Sequence, residues 1–270
     1  MKKWLVLDVD NLMHRSFHAM PPLEVKGRQT GAIHGFLKSL IQLRATYEAT
    51  NLAFCFDRGV PKRKEFYSSY QSRRDVIPPY KANKDRKYLK RQLSELRDYI
   101  LPDLGMSNVF SVDGYEADDL IAALVNSYAV KRGVIVSSDK DLYQCLRGGI
   151  SVHDLDSKIE ITEEKFKERY QVTPQEWITV KAIAGCDSDS IFGIKGVAEK
   201  TAIRYIKGEL GPTFKSYVAI QVGRAIIERN RKLIELPWPG LKLPDLYEDS
   251  DTSETWGKVL QSLNMGGVRV

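Results

Sequence analysis

Residues 4–8 of the chain read WLVLD, a short apolar run that ends in an acidic residue. Residues 52–57, LAFCFD, repeat this pattern, and residues 133–139, GVIVSSD, repeat it again. Helical stretches separate these strand-like runs, and the alternation predicts an α/β fold with a mostly parallel central sheet flanked by helices. In such sheets the functional edge lies at the carboxyl ends of the strands. The acids that close the runs are therefore the first candidates for chemistry.

The composition is typical of a folded, soluble protein. The 270 residues are 43% hydrophobic and 28% charged, which argues against disorder and allows a sizeable core. The three cysteines have no disulfide or zinc-site spacing, and no apolar run approaches the ~18 residues of a membrane span. Asp8 and Asp10 interrupt the first apolar run before it reaches signal-peptide length. We expect a cytoplasmic monomer without a membrane partner.

The chain divides by character into three parts. Residues 1–170 form the predicted catalytic α/β region, 171–240 a helical region that Pro174 helps to start, and 241–270 a C-terminal tail without assigned chemistry. Within the first part, residues 58–100 carry 13 Lys and Arg against 5 Asp and Glu. The net charge of this segment, +8, exceeds the +6 of the whole chain. Up to residue 86 this segment lacks clean periodicity and is interpreted as a long excursion, and residues 87–100 are predicted to be helical.

The densest acidic signal is GYEADDLIAAL, residues 114–124, where Glu116, Asp118 and Asp119 precede a helix-forming run. One interpretation is a capped, solvated helix start, because the helix dipole favours carboxylates there. The other interpretation is a metal site, because further acids fall at or just past predicted strand ends. These are Asp8, Asp57, Asp139 and Asp141.

Seven carboxylates at one sheet edge would repel one another unless positive charge compensates them. Hard cations with oxygen ligands are the usual compensation. Two magnesium ions bound in this way would polarise a scissile phosphate and favour attack by water. The acids therefore predict metal-dependent phosphoryl hydrolysis.

Seven short motifs follow one another along the chain to about residue 237. They are DVDNLMHRSFHA (8–19), CFD (55–57), PPYKANKDRKY (78–88), GYEADDLIA (114–122), SSDKDL (137–142), ITVKAIAG (178–185) and GIKGVAEKTA (193–202). In these motifs and in their order the chain resembles the flap endonuclease and 5′-to-3′ exonuclease family, especially its small stand-alone bacterial and bacteriophage members. The resemblance implies a magnesium-dependent 5′ nuclease that cuts DNA flaps and 5′ ends in replication or repair, with a functional link to a DNA polymerase.

The resemblance also implies a metal site with two magnesium ions. Its ligands would be Asp8, Asp57, Glu116, Asp118, Asp119, Asp139, Asp141 and Asp189. The chain departs from the family after Gly185, where Cys186 stands in place of an aspartate and Asp187 follows as an alternative ligand. A thiol is a poor magnesium ligand, so manganese could substitute more readily, although we favour a packing role for Cys186.

The basic excursion resembles the family's arch, which receives a single-stranded 5′ end. In YKANK, Tyr80 would stack on a base, Lys81 would stabilise charge on the scissile phosphate, and Lys84 would supply a further cation. The near-copy SYQSRR at residues 69–74 is an alternative register. It has Gln71 where the lysine is required, so Lys81 is preferred.

The segment GIKGVAEKTA resembles the family's helix-three-turn-helix element, which grips duplex DNA and holds a potassium ion. It offers Gly193, Gly196, Lys200 and Thr201 for phosphate binding, although Ala198 replaces a usual glycine. Arg15 in the first motif would contact a substrate phosphate. His14 and His18 beside it have no catalytic partner and are interpreted as structural or surface residues.

Two other functions stay open. A chain with Cys186 and Ala198 could bind branched DNA with little catalysis, although the seven retained carboxylates argue against this. A metal-dependent ribonuclease on a related sheet is the second alternative, but it leaves the arch and residues 193–202 unexplained.

Overall fold

A computed structural model describes residues 3–72, 81–127, 130–242 and 245–269, without the side chains of residues 81–84. Its central sheet has six strands in the order β5-β4-β1-β6-β7-β8, and only β8 runs antiparallel to its neighbour. The strands are β1 (Trp4–Asp8), β4 (Asn51–Phe56), β5 (Val109–Ser111), β6 (Gly133–Ser137), β7 (Ile150–Asp154) and β8 (Ile159–Ile161). Short pairs are formed by β2 (Glu24–Val25) with β3 (Arg28–Gln29) and by β9 (Gly185–Cys186) with β10 (Ile191–Phe192). The predicted mostly parallel sheet is confirmed.

Helices cover both faces of this sheet. Every residue of β1, β4 and β6 is buried, which explains why these strands are continuous apolar runs. Leu5, Leu7 and Phe54 point into one core, and Val6 and Cys55 point into the other. The main helices are Val9–Ala19, Gly31–Tyr47, Lys81–Glu95, Ala117–Asn126, Glu163–Tyr170, Pro174–Ala184, Glu199–Ile206, Lys215–Val222, Arg224–Ile234 and Ser253–Ser262.

The basic segment departs from its prediction in one respect. A helix begins at Lys81, six residues before the predicted start, and continues into a π-helical turn at Leu96–Ile100. Gln92 explains part of this arrangement, because its buried side chain accepts a hydrogen bond from the backbone N–H of Ala32 at 2.9 Å. This long helix therefore docks on the start of the helix Gly31–Tyr47.

The predicted C-terminal tail is part of the body of the protein. The helix Ser253–Ser262 buries Trp256 in the same core as the helix Gly31–Tyr47, and Asp251 pairs with Arg44 at 2.5 Å. Before this helix, the carbonyl of Tyr247 accepts a hydrogen bond from the side chain of Asn108 at 2.9 Å, which ties the C-terminal segment to the start of β5. In the described parts of the chain, no helix is both long and apolar enough to cross a membrane.

Candidate active site

The carboxyl ends of β1, β4 and β6 bring acidic residues into one cleft. Asp8 is the last residue of β1, Asp57 directly follows β4, and Asp139 lies two residues beyond β6. Because β1 pairs with both other strands, the three ends are neighbours. The cleft has a volume of about 1250 Å³, and seven of the eight predicted metal ligands line it, Asp119 being the exception.

Hydrogen bonds hold the strand-end carboxylates in place. Asp8 accepts from the backbone N–H of Asn11 at 3.1 Å and from the hydroxyl of Ser137 at 2.7 Å. Asp57 accepts from the backbone N–H of Ala117 at 2.8 Å, which ties the end of β4 to the first turn of the next helix. The side chains are thus oriented before any ligand arrives.

Asp8, Asp57, Glu116 and Asp118 form what we term the first carboxylate group. Burial and then the charge of Asp57 raise the pKa of Asp8 from 3.8 to about 7. Burial also raises the pKa of Glu116 to about 7, although the neighbouring Arg63 partly offsets it, and raises that of Asp118 well above its usual value. Burial is the largest cause of each shift, and repulsion from neighbouring carboxylates adds to it.

The first carboxylate group fits a divalent cation. Oδ1 of Asp118 is buried and makes no hydrogen bond to any residue that the structure describes. Oxygen atoms of Glu116, Asp118 and Asp119 lie within 4.8 Å of one another. Oxygen donors with unbalanced negative charge are what magnesium and similar hard ions require.

Asp119 differs from the other predicted ligands. It is fully buried, and both of its oxygens accept hydrogen bonds from the guanidinium of Arg63, at 2.6 and 2.7 Å. Its carboxylate also accepts from the backbone N–H of Trp238 at 2.6 Å. Metal ligation by Asp119 stays a prediction, and these contacts favour a supporting role behind the cleft.

Asp139, Asp141, Cys186 and Asp189 form what we term the second group. Oxygens of Asp141 and Asp189 and the sulfur of Cys186 lie within 4.8 Å of one another. The thiol of Cys186 donates to Asp189 at 3.0 Å, and burial, with Asp141 and Asp189, raises its pKa to about 12. Asp187, the alternative ligand, is exposed and is absent from the described lining of the cleft.

A buried lysine already pairs with the second group. The ammonium of Lys181 lies 3.2 Å from Oδ1 of Asp141, and both side chains are about nine-tenths buried. Burial nevertheless raises the pKa of Asp141 to about 7, with Lys181 acting in the opposite direction. We therefore expect the second group to suit a hard divalent ion less well than the first group. One of its donors is a protonated thiol, and Lys181 already pairs with Asp141.

One part of the cleft lining, which we term the basic wall, carries several cationic side chains. Arg86, Lys90 and Arg97 line it from the long helix after residue 80. Arg15 also lines the cleft, and in this structure its guanidinium pairs with Asp156 and donates to the carbonyl of Leu155 at 2.8 Å. The exposed rings of His14 and His18, with centroids 4.7 Å apart, lie at the same cleft.

Predictions for the arch remain open. Tyr80 lies outside the described residues, and so do the side chains of Lys81 and Lys84. The structure does describe the near-copy that was set aside, and Tyr70 and Gln71 both line the cleft, within hydrogen-bonding distance of Glu116.

The predicted duplex-binding residues lie on a separate surface. Gly193 follows the β9–β10 hairpin, and a Cβ there would lie 2.2 Å from the backbone of Ala184. Gly196 has a φ of +79°, and Lys200 is exposed in the first turn of the helix Glu199–Ile206. Neither these residues nor Thr201 is among the described residues that line the cleft.

The sequence reasoning missed Asp10 in the cleft and the buried cations Arg63 and Lys181 behind it, and it set aside Tyr70 and Gln71. Asp10 accepts from the backbone N–H of Asp57 at 2.9 Å, and burial raises its pKa to about 7. Lys181 had a usable signal, since it interrupts the apolar run of ITVKAIAG. Arg63 had none, because it was one of many cations in a basic segment.

Comparison with known proteins gives a consistent result. A family model for the N-terminal resolvase-like domain of 5′-3′ exonucleases matches residues 3–171. The chain is 32% identical over 257 residues to a 5′-3′ exonuclease of Aquifex aeolicus, which covers 93% of this chain and 84% of that protein. A structure of the bacteriophage T5 flap endonuclease with DNA and metal ions has a TM-score of 0.73 at 19% identity, over 97% of this chain and all of that one.

The chain also matches part of a larger enzyme. It is 32% identical over 251 residues to DNA polymerase I of Pseudomonas aeruginosa, covering 91% of this chain but only 25% of that protein. The chain thus spans about a quarter of that polymerase, whereas it spans most of the Aquifex aeolicus exonuclease. Given the matched family model and these identities, this chain belongs to the 5′-3′ exonuclease family.

Proposed function

We propose that the chain is a structure-specific 5′ nuclease that hydrolyses phosphodiester bonds of DNA at 5′ flaps and 5′ ends. The observation that carries this proposal is the cleft itself, which seven of the predicted carboxylate ligands line together with the basic wall. Carboxylates alone would repel a DNA phosphate, so the arrangement is productive only with cations between them. Membership of the 5′-3′ exonuclease family supports the same activity.

We propose magnesium as the physiological ion, with one ion at the first carboxylate group and a second, weaker one at the second group. Bound there, divalent ions would supply Lewis-acid charge to the scissile phosphate and favour the ionised form of water. Manganese should substitute at the second group more readily than in relatives with an aspartate in place of Cys186, because it tolerates softer donors.

The protein's own residues orient the reaction. Asp8 and Asp57 are held by backbone and hydroxyl donors, so their carboxylate groups keep a fixed orientation. On the basic wall, Lys90 and Arg97 would draw the DNA backbone towards the acids, and this attraction should weaken with salt. Water would attack the phosphorus, and the bond to the 3′ oxygen would break, leaving a 3′-hydroxyl on one product and a 5′-phosphate on the other.

The remaining predicted contacts belong to the same proposal. Lys81 would stabilise charge on the scissile phosphate, Tyr80 would stack on an unpaired base, and Lys84 and Arg15 would bind phosphates. For Arg15, a phosphate would have to replace Asp156 as the ionic partner.

Residues 193–201 are proposed to hold duplex DNA away from the cut, with a potassium ion at the turn. Gly196 and Lys200 are exposed there, as phosphate binding requires. A nuclease that recognises duplex and flap together would act beside a DNA polymerase in replication or repair. The three buried, free cysteines suit the reducing cytoplasm that we propose as its compartment, and we propose a monomer.

The test compares three substrates, a 5′-flap DNA, a blunt DNA duplex and a single-stranded RNA, each with magnesium and with manganese. We expect cleavage of the flap near its junction, slower trimming of the duplex from its 5′ ends, and no cleavage of the RNA. Preferred cleavage of RNA would show a ribonuclease instead. Binding of the flap without cleavage in either ion would show a branched-DNA-binding protein.

The variant Asp139→Asn provides the internal control for that test. It should abolish flap cleavage in magnesium and leave flap binding largely intact, because it removes one metal ligand and no DNA contact. Full activity of this variant would contradict the metal-dependent mechanism.

A further inference from the structure

Residues 58–72, which we term the root segment, run across the start of the helix Ala117–Asn126. Its backbone is fixed there, since the N–H of Arg58 donates to the carbonyl of Tyr115 at 3.2 Å and the N–H of Gly114 donates back to Arg58 at 2.9 Å. Lys62 adds a third bond, from its N–H to the carbonyl of Gly114 at 3.0 Å. The root segment is therefore attached immediately before Glu116.

Arg63 carries the attachment into the protein interior. Its side chain is 2% exposed, and its guanidinium makes a two-pronged contact with Asp119 and a further hydrogen bond to Oε2 of Glu116 at 3.1 Å. Its Nε donates to the carbonyl of Leu233 at 2.9 Å. A planar fork can satisfy these acceptors together in one orientation, so Arg63 fixes both carboxylates relative to the helix end at Ile234.

Two more donors from the root segment reach Glu116. The hydroxyl of Tyr70 donates to Oε2 at 2.9 Å, and the side-chain amide of Gln71 donates to Oε1 at 2.5 Å. The backbone N–H of Gln71 also donates to the carbonyl of Asp189 at 2.7 Å. One short stretch therefore contacts a predicted ligand of the first group and the backbone of one in the second.

The hydrogen bonds from the root segment occupy acceptor positions on both oxygens of Glu116. An ionised carboxylate has about two acceptor positions on each oxygen. Arg63 and Tyr70 occupy both positions on Oε2, and Gln71 occupies one on Oε1. The three donors from the root segment therefore hold the plane of the Glu116 carboxylate in one orientation.

We propose that Arg63, Tyr70 and Gln71 are positioning residues that set the affinity of the first carboxylate group for a divalent ion, by holding Glu116 in one orientation. The inference rests on the metal-binding part of the proposed function. Outer hydrogen-bonding partners of metal ligands commonly change metal affinity or activity by about 10- to 100-fold when they are removed. The residues act through Glu116 and need not touch the substrate.

The test measures Mn²⁺ binding to the DNA-free protein by the loss of the free-ion paramagnetic resonance signal. Tyr70→Phe removes one hydroxyl and keeps the ring, and it should weaken the tighter Mn²⁺ site by roughly tenfold. Tyr67→Phe is the matched control, the same change three residues earlier in a ring that lies under the guanidinium of Arg229. It should bind Mn²⁺ like the wild type.

Gln71→Met is the second variant, since it removes the donor to Oε1 while keeping the length of the side chain. It should also weaken the tighter site, at temperatures where thermal unfolding shows each variant to be folded. Equal Mn²⁺ affinity of the wild type and both variants would overturn the positioning role while leaving the proposed nuclease intact. A wild type that binds no Mn²⁺ would overturn both this inference and the metal-dependent mechanism.

Discussion

The first carboxylate group and the second group lie at the same sheet edge but differ in how their charge is balanced. In the first group the one buried cation, among the described residues, is Arg63, whose fork is committed to Asp119 and Glu116. In the second group Lys181 faces Asp141, and a thiol proton is shared with Asp189. The comparison predicts that the two groups bind metal unequally although they share an edge, because internal donors compete with an external ion.

The largest expected effect comes from removing a ligand of the first group. Asp118→Asn should lower flap cleavage in magnesium by roughly 10³-fold, because it replaces the carboxylate whose buried oxygen has no hydrogen-bond partner among the described residues. Single-turnover cleavage of a 5′-flap DNA measures this. The exposed Asp103→Asn is the matched control and should cleave at the wild-type rate. A loss below tenfold for Asp118→Asn would place the reaction elsewhere.

Removing the internal cation of the second group should affect stability. Lys181→Met leaves Asp141 buried without its partner, so the free energy of unfolding in EDTA should fall by about 3 kcal/mol. Mn²⁺ should restore part of that loss, since an ion can take the place of the ammonium. Urea titrations with and without Mn²⁺ measure both effects, with the exposed Lys38→Met as the control. Unchanged stability would show that the pair does not balance the second group.

The pH dependence should reveal the unbalanced carboxylates. Burial first, and neighbouring acids next, raise the pKa of Asp8 from 3.8 to about 7, so between these values the folded protein holds a proton that the unfolded chain has released. Stability without metal should therefore fall as the pH rises from 5 to 7, by about 2–3 kcal/mol for one net proton. Because Mg²⁺ binds the ionised carboxylates, it should flatten the slope. A rise in stability over this range in EDTA would contradict these pKa shifts.

Strand periodicity was sufficient to predict the sheet and the edge at which the acids meet. The strands Trp4–Asp8, Asn51–Phe56 and Gly133–Ser137 are buried on both faces, and strands buried in this way are mostly apolar. Once those strands were placed, Asp8, Asp57 and Asp139 had to be neighbours. This part of the site depends on local patterns and simple topology.

The parts that could not be predicted depend on long-range contacts. The pairing of Arg63 with Asp119 spans 56 residues, and the bond from Trp238 to Asp119 spans 119. Trp256 is buried because the C-terminal helix packs on the core that contains the helix Gly31–Tyr47, and its local sequence does not show this contact. Sequence spacing cannot show such partners, so it gave no sign that Arg63 and Trp238 contact Asp119 or that Trp256 is buried.

Mn²⁺ binding to the wild type and to Cys186→Asp tests most directly the central claim that the two groups hold metal unequally. The new carboxylate replaces a protonated thiol with a hard oxygen donor next to Asp141 and Asp189. We predict one tight and one weak Mn²⁺ ion in the wild type, and a second ion bound roughly tenfold more tightly in the variant. Two equally tight ions in the wild type, or a second site unchanged by Cys186→Asp, would contradict the claim.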